Sequence, residues 1–344
     1  MNTNTSISIV ICTYNGSDRI EKVLSCFKNQ VDSDEIEWEI VVVDNNSSDN
    51  TYETVQNLSF EFGDRLKLVQ ETKQGLIHAR IKGYQSSKYN IISYIDDDNY
   101  VANNWISNVY HTMNIHEDIG ACGGYNELYL DKGVVVPDWF EEFQDAYAIG
   151  GQSELSEAYV EHLWGSGLSI RRTILDILFT DNYNLLLNGR TGKGLASGED
   201  SEIVYAVKIL NWKLFYTEKL KLQHHINHTR FSFVYLEKLY KAFGASQVDI
   251  VPYMYYMKNN FSLHNYLKYS PVWQVVYVIN IMKVIYYSLM YTINIFNKKK
   301  NQYKLLIVFI LSANQELYKR RDKYREIFIH VKNLLKFKRR LGHE

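Results

Sequence analysis

Short apolar runs alternate with amphipathic stretches through the first hundred residues. Ile7–Ile11 (ISIVI), Ile40–Val43 (IVVV), Leu66–Val69 (LKLV) and Ile91–Ile95 (IISYI) have the length and β-branched content of buried strands. Between them, Arg19–Lys28, Asn50–Leu58 and Ile77–Ser86 space their apolar residues as helices do. This rhythm predicts an α/β fold, a Rossmann-like and mostly parallel sheet flanked by helices. In such sheets ligands bind beyond the carboxyl ends of the strands. Polar residues stand at those ends: Thr13-Tyr14-Asn15-Gly16, Asp44-Asn45-Asn46 and Asp96-Asp97-Asp98. Three such ends on one edge predict a polar ligand site.

From Trp105 to His228 the pattern becomes irregular, with Gly-rich pieces (GACGGY, WGSGLS, NGRTGKGLASGED) and the aromatic segment VPDWFEEF. This stretch is expected to shape a second half of the site on the same sheet. Trp139 and Phe140 in that segment could line an entrance to it, but the core reading is preferred. Ser201–Leu210 and Ser232–Gly244 read as helices, and FYTEKLKLQ before His224 as a strand. The predicted organisation is a domain over 1–250, with halves 1–104 and 105–250, followed by a helical appendage over 251–344.

The appendage changes character. Val272–Phe296 is strongly apolar and long enough to cross a bilayer, but it carries Gln274, Asn280, Lys283 and Asn294. Leu305–Ala313 is apolar and too short. From Lys298 onward, 14 Lys and Arg face 4 Asp and Glu, although the whole chain carries a formal charge of −1. Apolar helices beside a basic tail predict peripheral contact with a membrane surface. The competing readings are a solvated tail and a soluble appendage or oligomer contact. No nucleic-acid partner is expected.

Composition limits the classes. With 46% hydrophobic and 22% charged residues over 344 positions, the chain can build one large core plus an appendage. Cys12, Cys26 and Cys122 lie far apart with no CxxC pair, which excludes a zinc ribbon or disulfide framework and suits a reducing compartment. The opening MNTNTSISIV lacks a basic segment leading into an apolar core, so no signal peptide is expected and the location is read as cytoplasmic.

Asp96-Asp97-Asp98 is the sharpest chemical feature. Three carboxylates at the end of a buried strand repel one another unless a cation compensates. Mg²⁺ or Mn²⁺ would do so, because hard cations take carboxylate and diphosphate oxygens together. An acidic turn is the bland reading. Asp44 could accept a hydrogen bond from a base or ribose, while NNSSDNT could equally cap a helix through Ser48 or Asp49. Glu199-Asp200 at a helix start could simply complement the helix dipole.

Taken in order, SIVICTYNGSDRIEKVLSCFKNQ, EIVVVDNNSSDNT, QGLIHARIKGY, YIDDDN, WGSGLSIRR, SGEDSEI and HHINHTR make residues 6–245 resemble family 2 glycosyltransferases of the GT-A fold. The resemblance implies an inverting, metal-dependent transfer of a sugar from a nucleotide-diphosphate donor to an acceptor hydroxyl. It implies that Thr13, Tyr14, Asn15 and Asp44 meet the nucleoside, with Gly75 and Arg80 in the segment closing over the nucleotide. Asp98 would bind the metal directly. Asp96 would reach ribose or a metal-bound water, and Asp97 belongs to the same donor site. Asp200, with Glu199 beside it, would be the general base. His224, preferred over His225, would complete the metal site, and His225 and Arg230 would approach the diphosphate. Trp164, Gly165 and Ser166 would shape the floor under the donor sugar. Core packing competes for Trp164, an ion pair for Arg230, and an ordinary surface or core role for the His pair. The acceptor is expected to be a glycan or a lipid-linked molecule, in surface polysaccharide or glycolipid synthesis.

Other classes fit less well. A sugar-phosphate nucleotidyltransferase would carry a Gly- and basic-rich loop where this chain has CTYNGSD. A non-catalytic carbohydrate- or nucleotide-binding scaffold would need no proton acceptor such as Asp200. A Rossmann dehydrogenase would show GxGxxG after the first strand, and none is present.

Overall fold

The structure, a computed structural model, describes residues 6–179, 183–187, 189–190, 195, 198–257 and 269–338. Two compact units emerge: Met1–Gly194 with Trp212–Thr229, and Leu195–Asn211 with Arg230–Glu344. The second therefore takes in the segment around Asp200 as well as the C-terminal region.

The first unit is built on one sheet of nine strands among the described residues. Strands β1 (Ile7–Thr13), β2 (Trp38–Asp44), β3 (Leu66–Gln70) and β4 (Ile91–Asp96) lie parallel in the order β3-β2-β1-β4. Every residue of β2 is buried, as a parallel strand covered on both faces requires. The connecting helices are α1 (Ile20–Ser25), α2 (Thr51–Ser59) and α3 (Leu76–Ser86). Ile7, Ile9 and Ile11 pack in one core with Ile20, Val23 and Leu24 of α1. The strand register assembles the edge: Thr13 pairs with Asp44 and Cys12 with Asp96, so the three polar strand ends stand side by side.

Beyond β4 the sheet becomes mixed. After β5 (Asn99–Val101) come α4 (Trp105–Ile115), β6 (Ile119–Tyr129), α5 (Phe140–Phe143), β7 (Glu157–Val160), β8 (Leu168–Arg171), α6 (Arg172–Phe179) and β9 (Lys213–His225). Strand β8 sits antiparallel between β4 and β6, β9 runs parallel to β6, and β5 and β7 pair antiparallel to β9. Trp105 at the start of α4 is fully buried and donates its indole N–H to Ser93 Oγ (3.2 Å).

The second unit is helical: α7 (Glu199–Ile209), α8 (Phe233–Met257), α9 (Trp273–Ile293), α10 (Lys299–Lys319) and α11 (Tyr324–Lys338). Helix α10 packs against both α8 and α9. Helix α7 begins two residues before the expected Ser201, and α8 runs past the expected end at Gly244, through Pro252. The reason is tertiary. Gly244 marks a close crossing, where an added Cβ would lie 2.1 Å from the Phe309 carbonyl oxygen. Buried Asp249 in the same helix accepts two hydrogen bonds from Arg320 (2.5 and 2.7 Å), and Ser312 Oγ donates to the Lys241 carbonyl.

Candidate active site

The site begins where β1 ends. Thr13 is buried and its hydroxyl donates to Asp97 Oδ2 (2.7 Å). Arg19 Nη2 donates to the same oxygen at 3.0 Å, and the guanidinium also reaches the carbonyls of Asn15 (3.1 Å) and Tyr14 (3.4 Å). One cation thus ties the loop after β1 to the aspartate turn after β4. There is no room between them: a Cβ on Gly16 would stand 2.3 Å from Thr13 Oγ1 and 2.7 Å from Asp97 Oδ2. Burial raises the Asp97 carboxyl above its ordinary range, while Arg19 pulls it back.

Asp44 is almost wholly buried, and its Oδ1 accepts the Ser47 N–H (3.2 Å). Asn15 takes a left-handed conformation (φ 50°), which asparagine tolerates, and its side-chain oxygen accepts the Ser48 N–H (2.8 Å). Neither Ser48 nor Asp49 is the residue that caps α2. Asn50 holds that position, and Asp49 instead accepts from Ser17 and Thr51, joining the two loops.

Asp96 ends β4, and its Oδ2 accepts from Asn99 Nδ2 (3.4 Å). Burial pushes its carboxyl up to about 6; Arg80 and His224 oppose the shift and Asp98 adds to it. His224 lies opposite Asn99 in the β5/β9 register, with Nε2 3.7 Å from Asp98 Oδ1. Its Nδ1 is buried without a hydrogen-bond partner. Among the described residues no three His, Cys, Asp or Glu side chains converge as a ready-made cage. Crowded carboxylates with the Nε2 edge of His224 3.7 Å from Asp98 could hold a hard cation that takes the rest of its ligands from diphosphate and water.

Neighbouring residues on a strand face opposite ways, and His225 does so. Its Nε2 lies 3.0 Å from Asp131 Oδ2 and its ring stacks on Tyr100, while its main-chain N–H donates to the Asp98 carbonyl (2.9 Å). The backbone of His225 thereby holds the aspartate turn, and its side chain serves an aromatic cluster. Lys22 Nζ sits over Tyr100 (4.0 Å) and Tyr129 (3.4 Å) in that cluster.

Residues 8–171, which contain this edge, match the family model described as glycosyl transferase family 2. That segment is a glycosyltransferase family 2 domain. It is 32% identical over 110 residues to a GalNAc(5)-diNAcBac-PP-undecaprenol beta-1,3-glucosyltransferase of Campylobacter jejuni, an alignment covering 31% of this chain and 34% of the relative. Alignments to the curated relatives span only 25% to 44% of those proteins' own lengths. Among solved structures, TarS 1-349 of S. aureus in complex with UDP-GlcNAc superposes with a TM-score of 0.51 at 15% identity, covering 92% of both chains. GalNAc-T7 with UDP, GalNAc and Mn²⁺ gives 0.51 at 16% identity over 72% of this chain and 51% of that one. The fold is GT-A.

The family segment stops at residue 171, before Glu199, Asp200, His224, His225 and Arg230. Within it, Gly75 (φ 140°) precedes α3 and donates its N–H to Asn45 Oδ1 (2.7 Å). Arg80 is buried in α3 with its guanidinium 5.5 Å from the Tyr94 ring centre, and its positive charge favours ionised Asp96. Trp164 is partly buried, and its main-chain N–H donates to Gln152 Oε1 (2.6 Å). Gly165 is buried, and buried Ser166 accepts from Asn126 Nδ2 (2.6 Å). Phe140 is buried and Trp139 packs on it at 6.3 Å. Glu199 and Asp200 occupy the first turn of α7 in the helical unit, where Asp200 Oδ1 accepts the Ser201 N–H (2.7 Å). Arg230 closes a short 3₁₀ turn at the start of that unit's long segment. Sequence reasoning missed Arg19 and, beyond its place at a polar strand end, the role of Asn45. Asn45 Nδ2 donates to the carbonyls of Glu71 and Lys73 and so holds the loop before α3. The only sequence signal for either was its place directly after a strand or a polar loop.

Proposed function

We propose that the protein transfers a sugar from a nucleotide-diphosphate donor to an acceptor hydroxyl with inversion at the anomeric carbon. The observation that carries this reading is the alignment of Thr13, Asp44 and Asp96 on one sheet edge, with Asp97 already neutralised by Arg19 and Asp98 left facing His224. Asp44 and the loop Thr13–Asn15 receive the nucleoside, and Gly75 and Arg80 close the donor side. Asp98 would bind Mn²⁺ or Mg²⁺ directly, with Asp96 and His224 beside it, and the ion would supply positive charge to offset the negative charge growing on the leaving diphosphate. That the GalNAc-T7 complex carries UDP and Mn²⁺ supports the choice of ion.

The acceptor hydroxyl is a poor nucleophile and must lose its proton as it attacks. Asp200 takes that proton, with Glu199 beside it, and a single displacement opposite the leaving group inverts the centre. The transferase domain spans 1–250, in nucleotide-binding and acceptor halves, and 251–344 associates peripherally with the inner face of the cell membrane. The undecaprenol-linked acceptor named for the Campylobacter relative favours a lipid-linked or glycan acceptor here.

The test is a panel of nucleotide sugars offered with Mn²⁺ or Mg²⁺ to the wild type and to Asp200→Asn, reading donor binding and sugar transfer separately. Asp200→Asn should bind donor normally and turn over about 10²- to 10⁴-fold more slowly. Unchanged turnover in that variant would remove Asp200 as base. Failure of every nucleotide sugar to bind, or release of pyrophosphate from a nucleoside triphosphate and sugar phosphate, would remove the transferase reading.

A further inference from the structure

Helix α9 is built inside out. Its 21 residues span about 31 Å. The face toward α10 carries the polar contacts: Asn280 Nδ2 donates to Asn314 Oδ1 (2.9 Å), and Asn314 Nδ2 donates to the Tyr277 carbonyl (3.3 Å). Tyr277 also packs near Tyr318, and Tyr287 stacks on Tyr303. The opposite face is apolar and open. Met282, Ile285, Leu289 and Ile293 are 64%, 65%, 59% and 67% exposed, and Phe296 just beyond is fully exposed. The spacing of these residues is that of one helical stripe. A helix packed in a water-soluble unit has the reverse polarity, so this stripe requires a cover.

Charge identifies the cover. Residues 250–315 contain seven lysines and not one Asp or Glu. Three of them, Lys298, Lys299 and Lys300, are exposed and follow Phe296 almost at once. A second copy of the chain laid on the stripe would bring lysines to lysines with no counter-charge. An anionic bilayer supplies both an apolar layer for the stripe and phosphates for the lysines.

The neighbouring helix sets the orientation. Helix α10 lies along α9 with Gln302, Lys304, Gln315 and Lys319 exposed, and Lys304 forms an ion pair with Glu237 of α8. If α9 crossed the membrane, these groups would be drawn into hydrocarbon. If it lies flat, they stay in water.

We infer that the outward stripe of α9 docks in the plane of an anionic lipid bilayer, with Lys298–Lys300 on the headgroups. This deepens the membrane contact proposed above but does not depend on the transfer chemistry, since neither donor binding nor turnover enters its readout. The experiment is flotation of the full-length protein with vesicles of phosphatidylcholine alone or with added phosphatidylglycerol. Wild type should float with the anionic vesicles and be released by a carbonate wash. Lys298→Ala/Lys299→Ala/Lys300→Ala should weaken anionic binding about 100-fold. Ile285→Glu/Leu289→Glu should lose binding while keeping the wild-type circular dichroism and tryptophan emission. Wild-type protein that ignores all vesicles, or that self-associates through this stripe instead, overturns the inference. Equal binding by either variant does the same, and carbonate-resistant binding overturns the flat orientation.

Discussion

Arg19 and Asp97 offer the sharpest test of how the donor edge is held. Their side chains are 27% and 15% exposed, and Nη2 lies 3.0 Å from Oδ2. A charge-assisted hydrogen bond in such a half-buried place contributes about 1.5–3 kcal/mol, well below the bare Coulomb attraction because both groups were desolvated to make it. Arg19→Gln removes the cation and leaves Asp97 beside Asp96 and Asp98, so we expect a loss of about 2 kcal/mol. Asp97→Asn should cost less, about 1 kcal/mol, because burial makes its charge unfavourable and an amide oxygen can still accept from Thr13. Once Asp97 is neutral, losing Arg19 matters little, so the double variant should lie near the Asp97→Asn value. Urea unfolding followed by tryptophan emission suits the measurement, since Trp38, Trp105, Trp139, Trp164 and Trp212 lie in the sheet unit and only Trp273 in the helical one. Two single effects that add within about 0.5 kcal/mol would refute the coupling. The sign with pH is also set. The carboxyl is raised in the folded state, so its stabilising contribution is complete below its ordinary range and is lost as pH rises through the raised value. Arg19→Gln raises it further, so the gap to wild type must widen from acid to neutral pH. A gap that narrows contradicts the argument.

Four more variants test named contacts. Asp98→Asn should weaken Mn²⁺-dependent donor binding by about 10- to 100-fold in calorimetry, and His224→Ala by less, with metal-independent nucleotide affinity nearly unchanged. Equal metal dependence in all three proteins would move the ion elsewhere. Asp49 is held below the ordinary carboxylate range: burial opposes this, but hydrogen bonds from Thr51 and Ser17 outweigh it. Its contribution is therefore present above its ordinary range and lost as pH falls through the depressed value, so Asp49→Asn should lower Tm at neutral pH and match wild type in strong acid. Gly244→Val should disrupt the α8–α10 crossing, at about 1–3 kcal/mol or more, lowering helical circular dichroism while the tryptophan emission of the sheet unit stays near wild type.

The parallel half of the sheet was legible because its strands are buried on both faces and so appear as unbroken apolar runs, each ending in the polar residues that line the edge. The mixed half was not. Strands β6 and β9 are 11 and 13 residues long, and a Gly pair and several charges interrupt their pattern, with a register shift between Gly123 and Tyr125. Local rules also stop α8 at Gly244 or Pro252, yet packing against α10 carries it on. Arg19 was invisible for a different reason: its partner is 78 residues away, and no local pattern reports which carboxylate a surface-looking arginine will neutralise.

The same limit turns into information in α9. By count alone, Gln274, Asn280, Lys283 and Asn294 argued against a membrane-crossing helix. In the fold, Asn280 is satisfied by Asn314, and Asn294 Nδ2 returns to the Met290 carbonyl (2.8 Å). Two of the four polar side chains are therefore spent on packing and helix termination, and do not interrupt the stripe from Met282 to Ile293. A hydropathy average dilutes that stripe with residues that face α10. What a bilayer would meet is the outward face alone, and that face is more apolar than the segment that contains it.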